Sequence, residues 1–366
     1  MKSNIITKKV LLVLLFPISM FIFYITAFVP ESIENIYSRG INKLLIEVLS
    51  LATGIIPFSI AEIGLLVLAV LIPIILILKI IRIIRQRNER IKATINLIID
   101  LLIVSSIIYF IFTAFWSLNY NRLSFGEMAK LDTKPATLDE LAGLCNSLVD
   151  RANSLRVNVS QNSKGLMFIP GGCSYVFKNA DKGYSIEAKT FPFLGGSYGR
   201  PKAVIFSKAM SYFGITGVYC PFTGEANIDA DIPDFSMPSA TCHEMAHQHG
   251  FAREDEANYI AWLTCEANPD VSFQYSGAIL ALINSMNALY SYDKEKYLEL
   301  SKKLSDGVNR DLDDNQQYWQ KHKGQAEKIV TSLNDTYLKA SKQKDGVHSY
   351  GRMVDLLIAE YRKYQI

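Results

Sequence analysis

The stretch Ser239-Ala240-Thr241-Cys242-His243-Glu244-Met245-Ala246-His247-Gln248-His249-Gly250-Phe251-Ala252-Arg253-Glu254-Asp255-Glu256-Ala257-Asn258 contains the pattern HExxH. Residues four apart share one face of an α-helix. His243 and His247 can therefore turn ring nitrogens toward one Zn²⁺. Glu244 projects beside them, where it can take a proton from an activated water. The chain has 5 histidines, and His243, His247 and His249 all fall in this stretch. An ordinary amphipathic helix could carry two histidines at this spacing, but it would have no need of the glycine and acidic residues directly after them. Gly250 can end the helix in the left-handed conformation. An acidic second helix is expected from Arg253 to about Asn268.

A hydrolytic zinc needs a third protein ligand and an open position for water. The candidates are Glu254 and Glu256. The connection from His247 is short, so only a side chain near the first turn of the second helix can reach back. Glu256 is rotated by about 200° from Glu254 on an ideal helix, so the two cannot both face the metal. His249 lies off the ligand face and reads as structural or supporting. Cys242 reads as a small buried apolar residue.

The segment resembles zincins whose third ligand is a glutamate, where that ligand often opens a pattern E-x-x-A-(D/N). Glu254-Asp255-Glu256-Ala257-Asn258 fits with Glu254 as ligand and Asn258 supporting a ligand from behind. On this analogy Glu254 is preferred and Glu256 is the alternative. Three longer stretches, HEMAHQHGFAREDEANYIAWL, GVYCPFTGEANID and KDGVHSYGRMVDLL, resemble a family of bacterial membrane proteins. Its members are labelled as a domain of unknown function and grouped with zinc metallopeptidases. The resemblance covers the whole chain and implies a peptidase-like site, but names no substrate.

Working outward, 366 residues allow a membrane part plus one domain. Hydrophobic residues make up 49%, concentrated in the first third. The formal net charge of +3 gives no reason to expect a nucleic-acid partner. Three apolar runs are long enough to cross a bilayer, at about residues 10–30, 59–81 and 93–118. The first is too long for a cleaved signal and lacks a small-x-small site. Between the second and third lie Lys79, Arg82, Arg85, Arg87, Arg90 and Lys92, the pattern of a cytoplasmic loop. That puts the N-terminus inside the cell and everything after about Asn119 outside, in the plasma membrane of a multi-pass protein. Glu31 to Ser59 repeats Ile33, Ile36, Tyr37, Ile41, Leu44, Leu45 and Val48 at helical spacing. It reads as a helix lying in the interface or against the other spans.

The fold expected is mainly α with some β. Residues 1–118 form a membrane domain with three transmembrane helices. Residues 119–366 form an extracytoplasmic zincin-like domain with a small sheet, the HExxH helix and C-terminal helices. Thr137 and Glu140 form a capping box opening a helix to about Leu155. Ala226, Ile228 and Ala230 alternate with polar residues and suit a half-exposed strand beside the HExxH helix, a place for an extended substrate. Glu225 could bind a substrate amine or be a surface or ion-paired carboxylate. Tyr350, with His348 and Arg352 behind it, is the candidate donor to a developing oxyanion. Breaks between helices are expected near Asn268, Tyr292, Gly307, Gly324 and Gly346. The 5 cysteines include no CxxC, so no cysteine zinc knuckle is expected, while an outside location permits disulfides.

The function expected is a membrane-anchored zinc metallopeptidase that acts on a peptide or protein outside the cytoplasm. In it Glu244 and a donor such as Tyr350 or His348 would assist Zn²⁺ held by His243, His247 and Glu254 or Glu256. The alternative is a non-catalytic membrane sensor or assembly protein with structural zinc. Intramembrane proteolysis is disfavoured because HExxH lies more than a hundred residues past the last span, in polar sequence.

Overall fold

The computed structural model describes residues 2–341, 343 and 352–364. Tyr350 and His348 lie outside the described residues. The chain is 74% helix and 3% strand. Helix α1 (Lys2–Thr26) is followed by a π-helix (Ile33–Asn42), α2 (Lys43–Gly54), α3 (Ile60–Arg85) and α4 (Arg90–Phe115). Three stretches, Lys8–Thr26, Ile60–Arg85 and Arg87–Phe115, are long and apolar enough to cross a membrane. The first stops at Thr26 rather than Pro30, because Ala27 and Phe28 turn the chain before Pro30 opens a new helix. The second runs past Ile81 to Arg85, its basic end lying at the helix C-terminus. Asp100 of α4 accepts from Lys9 of α1 at 3.2 Å and from Lys79 of α3 at 2.7 Å, so one carboxylate ties all three helices.

The segment between the first two apolar helices packs a mixed face against the rest of the chain. Ile33, Tyr37 and Ile46 point inward, but so do Glu34, Ser38, Asn42 and Ser50. Ile36, Ile41, Leu44, Leu45 and Val48 point outward. The reason lies in what they meet. The last carbonyls of a helix have no partner within it. Tyr37 donates to Ala114 O at 2.9 Å and Asn42 to Phe115 O at 2.9 Å, completing the end of α4. Ser38 donates to Asn119, which donates to Asn42. Glu34 receives Arg122 in a bidentate pair at 2.7 and 2.9 Å, both side chains fully buried.

Beyond α4 the chain builds a helical body. The Thr137–Glu140 capping box is present and opens α5 (Leu138–Arg156). The sheet has order β1-β3-β2, with β1 (Lys202–Ala203) parallel and β2 (Gly217–Cys220) antiparallel to β3 (Glu225–Ile228). β3 is the central strand and is buried at every position, which corrects the half-exposed reading of Ala226 and Ile228. Two neighbours, short as they are, cover both its edges; β1 and β2 are the edge strands, and β2 carries the exposed Val218. The HExxH helix α6 (Met237–Gln248) and α7 (Glu254–Ala267) pack with α5 and α8 (Val271–Tyr292) around one core, including Phe125, Phe251, Tyr259 and Phe273. Trp262 and Tyr259 are core residues, as their spacing suggests. The break expected near Gly307 falls just before it: a helix ends at Ser301, Ser305 caps α9 (Asp306–His322), and Gly307 sits in its first turn under Arg156. Helices α10 (Gln325–Ala340) and α11 (Met353–Tyr364) complete the body. All 5 cysteines are unpaired.

The membrane-side segments are bonded into this body. Glu225 accepts from the Ile60 and Ala61 amides at 3.0 and 2.8 Å and pairs with Lys202. It caps the N-terminus of α3 and is buried, so it is the ion-paired carboxylate and not a free anchor for an amine. Glu62 in turn accepts from the Ile205 and Phe206 amides. Hydrogen bonds thus cross the boundary expected at residue 118.

Candidate metal centre

Helix α6 ends because Gly250 adopts φ 83°, closed to side chains by sterics. The Phe251 amide donates to Ala246 O and the Gly250 amide to His247 O, the paired bonds of a Schellman motif. The chain folds back over this turn, and Arg253 opens α7 in extended conformation. Arg253 donates to Tyr120 O, Arg122 O and Glu256, fixing the register of the new helix.

This turn brings Glu254 onto the histidine face. Its Oε2 lies 3.2 Å from His243 Nε2 and 3.6 Å from His247 Nε2. One ligand atom from each of the three residues falls within 4.8 Å of the others. The opposite ring nitrogens are already engaged. His247 Nδ1 is 2.7 Å from Phe251 O, and His243 Nδ1 is 2.9 Å from Asn258 Oδ1. Both partners are acceptors, so each Nδ1 carries a proton and each ring turns its Nε2 toward Glu254. Two imidazole lone pairs and one carboxylate oxygen are the donor set of a hydrolytic zinc, and the residues fit that ion. Asn258 therefore supports His243 rather than Glu254. Glu256 points elsewhere: it accepts from the Phe125 amide at 2.9 Å and pairs with Arg253.

The electrostatics agree with a place for positive charge. Burial alone would raise the Glu254 carboxyl, but His247 and His243 hold it well below the usual range. Burial opposes a charge on His247, yet Glu254 and Glu244 raise it to about 9. Glu244 is raised by burial, partly offset by the two histidines. Its Oε2 is buried with no partner among the described residues. It lies against β2 at Gly217. A Cβ added at Gly217 would come within 2.5 Å of Glu244 Cγ, so only glycine lets the strand approach this closely.

His249 is stacked between Tyr184 and Tyr198, at 4.4 and 4.2 Å between ring centroids. Burial lowers it to about 3, so it is neutral and structural. Arg352 lies beside Asp255 and Asp355, whose carboxyls feel its charge. Sequence reasoning missed the aromatic wall. The Trp116 ring sits 5.5 Å from that of His247 and 5.1 Å from that of Tyr219. Trp116 Nε1 donates to the Tyr337 hydroxyl at 2.7 Å, and that hydroxyl is 3.0 Å from the one on Tyr120. Burial raises both phenols, and the Glu254 charge adds to the effect on each, which puts the pair beside the metal ligands. Residues 116, 120 and 337 form no motif, and only the paired tyrosines' proximity after folding marks them.

The family model described as "Protein of unknown function (DUF3810)" matches residues 37–358. The chain belongs to that family. The matched stretch begins inside the π-helix and runs through α6 and α7 into α11. No curated protein and no solved structure matches the chain.

Proposed function

We propose that the protein is a membrane-anchored zinc metallopeptidase with a zincin-like catalytic domain outside the cytoplasm. The observation that supports it most is the convergence of two histidine Nε2 atoms and the Glu254 carboxylate, with Glu244 buried alongside. His243, His247 and Glu254 would hold the zinc. When bound, zinc supplies Lewis acidity, which acidifies water and polarises a carbonyl. The other roles fall to the chain. Glu244, its proton affinity raised by burial, takes a proton from the attacking water and passes it to the leaving amine. Tyr120 and Tyr337 donate toward the carbonyl oxygen as charge develops. The open edge of β2 pairs with an extended peptide, and the glycine at 217 keeps that peptide close to Glu244.

The topology belongs to the same proposal. The six basic residues from Lys79 to Lys92 mark the cytoplasmic side, which leaves the metal centre outside. The test is Glu244→Gln in the full chain. The variant is expected to keep its zinc and lose peptide hydrolysis by at least about a thousandfold, the scale of losing a general base with its proton transfer. Hydrolysis undiminished, with zinc still bound, would instead favour the sensor or assembly reading, in which the carboxylate has no work to do.

A further inference from the structure

The metal centre lies where the apolar helices end. Trp116, whose ring packs on His247, is the residue next after α4. β3 carries Glu225, which caps the first turn of α3. The outer ends of two apolar helices are therefore bonded directly to the elements that form the site. Between α1 and α3, the π-helix and α2 turn Ile36, Leu44 and Val48 outward, at 61–63% exposure, with Asn35 and Arg39 exposed among them, followed by Ile55 at 85%. Ile205, at 67%, and Phe222, at 45%, extend this surface. Exposed apolar groups on this scale, continuous with helices that cross a bilayer, find their partner in lipid.

We propose that the metal centre is seated at the bilayer surface and that its substrate is a polypeptide itself tethered to the bilayer, cut within its first residues beyond the anchor. This rests on the peptidase reading. A tethered chain has only to extend by about five to ten residues, at about 3.4 Å each, to reach the open edge of β2. Tethering also raises its effective concentration at a site on the same surface, where a freely dissolved peptide has no such advantage. Two kinds of tether share this chemistry: a transmembrane helix and a fatty-acyl chain.

The experiment uses the full chain, zinc-loaded, in vesicles of phosphatidylcholine and phosphatidylglycerol. A randomised ten-residue segment is presented in three forms: behind a transmembrane helix, behind a palmitoyl chain, and free. Cleavage that depends on Glu244 should favour at least one anchored form over the free form by about tenfold or more, and the better anchor identifies the tether. Equal cleavage of all three overturns the inference and leaves the peptidase reading intact. A second readout is independent of activity. With Glu244→Gln and a photo-crosslinker replacing exposed Val218 on β2, the anchored forms should be captured in preference to the free form. Capture of the anchored forms without any cleavage in the active chain would keep the tethered partner and discard the peptidase. No preference in capture overturns the inference. The seat itself is read by Val48→Trp, whose added emission should be quenched by lipid brominated near the headgroup end of its chains. Emission unaffected by such lipid would place this face in water and overturn the seat.

Discussion

Two regions of this protein show apolar side chains to the outside, for different reasons. The helices α1, α3 and α4 are apolar almost all round, and their burial matters little to their sequence. The π-helix with α2 is two-faced, yet the face that points in carries Glu34, Ser38, Asn42 and Ser50. The difference teaches that amphipathicity does not by itself say which face is inside. What decides it is the partner. Here the partner is the set of carbonyls that α4 leaves open at Ala114 and Phe115, together with Arg122. Those groups need donors and a counter-charge, so Tyr37, Asn42 and Glu34 go to them. Ile36, Leu44 and Val48 are left exposed.

The comparison breaks most visibly at Glu34. Glu34→Ala removes one partner of a fully buried pair and leaves the Arg122 charge uncompensated, at a cost of about 3–5 kcal/mol. Arg122 also donates to Gly250 O at 2.9 Å and covers the Phe251 ring at 4.0 Å. Since Phe251 O holds His247, the variant should lose zinc affinity along with thermal stability in detergent. A melting profile and zinc content unchanged from the parent would show that the inward polar face has no such role.

An effect of intermediate size serves as a control far from that face. Glu187 is raised to about 7 by burial and by the nearby Glu360. A carboxyl raised in the folded state holds its proton longer than in the unfolded chain. Stability is therefore full below about pH 4.5, the ordinary carboxyl range, and declines as pH rises toward 7. Glu187→Gln should flatten the melting temperature across that window, and should do so equally in the Glu34→Ala background if the two regions are independent. The smallest effect belongs to the outward face. Ile36→Ser should change stability in detergent by about 0.5 kcal/mol or less, since nothing in the protein packs on it. A loss comparable to that of Glu34→Ala would mean that the outward face meets protein after all.

Much of this fold is legible in the sequence where one residue type implies one physical need. The apolar runs could only be helices long enough for a bilayer, and Thr137 with Glu140 could satisfy each other's amides at a helix start. The short path from His247 through Gly250 limits what can return to the histidines, and Glu254 is the residue that does. The rest depends on partners that a sequence does not display. The carbonyls at the end of α4 have no letter of their own, so the 33–50 pattern alone does not show which polar residues are drawn inward. The burial of β3 depends on β2, the HExxH helix and the two residues Lys202–Ala203, the last too few to show as a strand. Tyr120 and Tyr337 stand 217 positions apart and meet only across the finished fold.

The central claim is that His243, His247 and Glu254 form one metal centre, and the most direct measurement is zinc content of the purified full chain by elemental analysis. The parent and Glu256→Gln should each carry about one zinc per chain, because Glu256 serves the Phe125 amide and Arg253. Glu254→Gln should lose it nearly as completely as His243→Ala. Zinc retained in Glu254→Gln and lost in Glu256→Gln would contradict the account, and put the third ligand two residues further along α7.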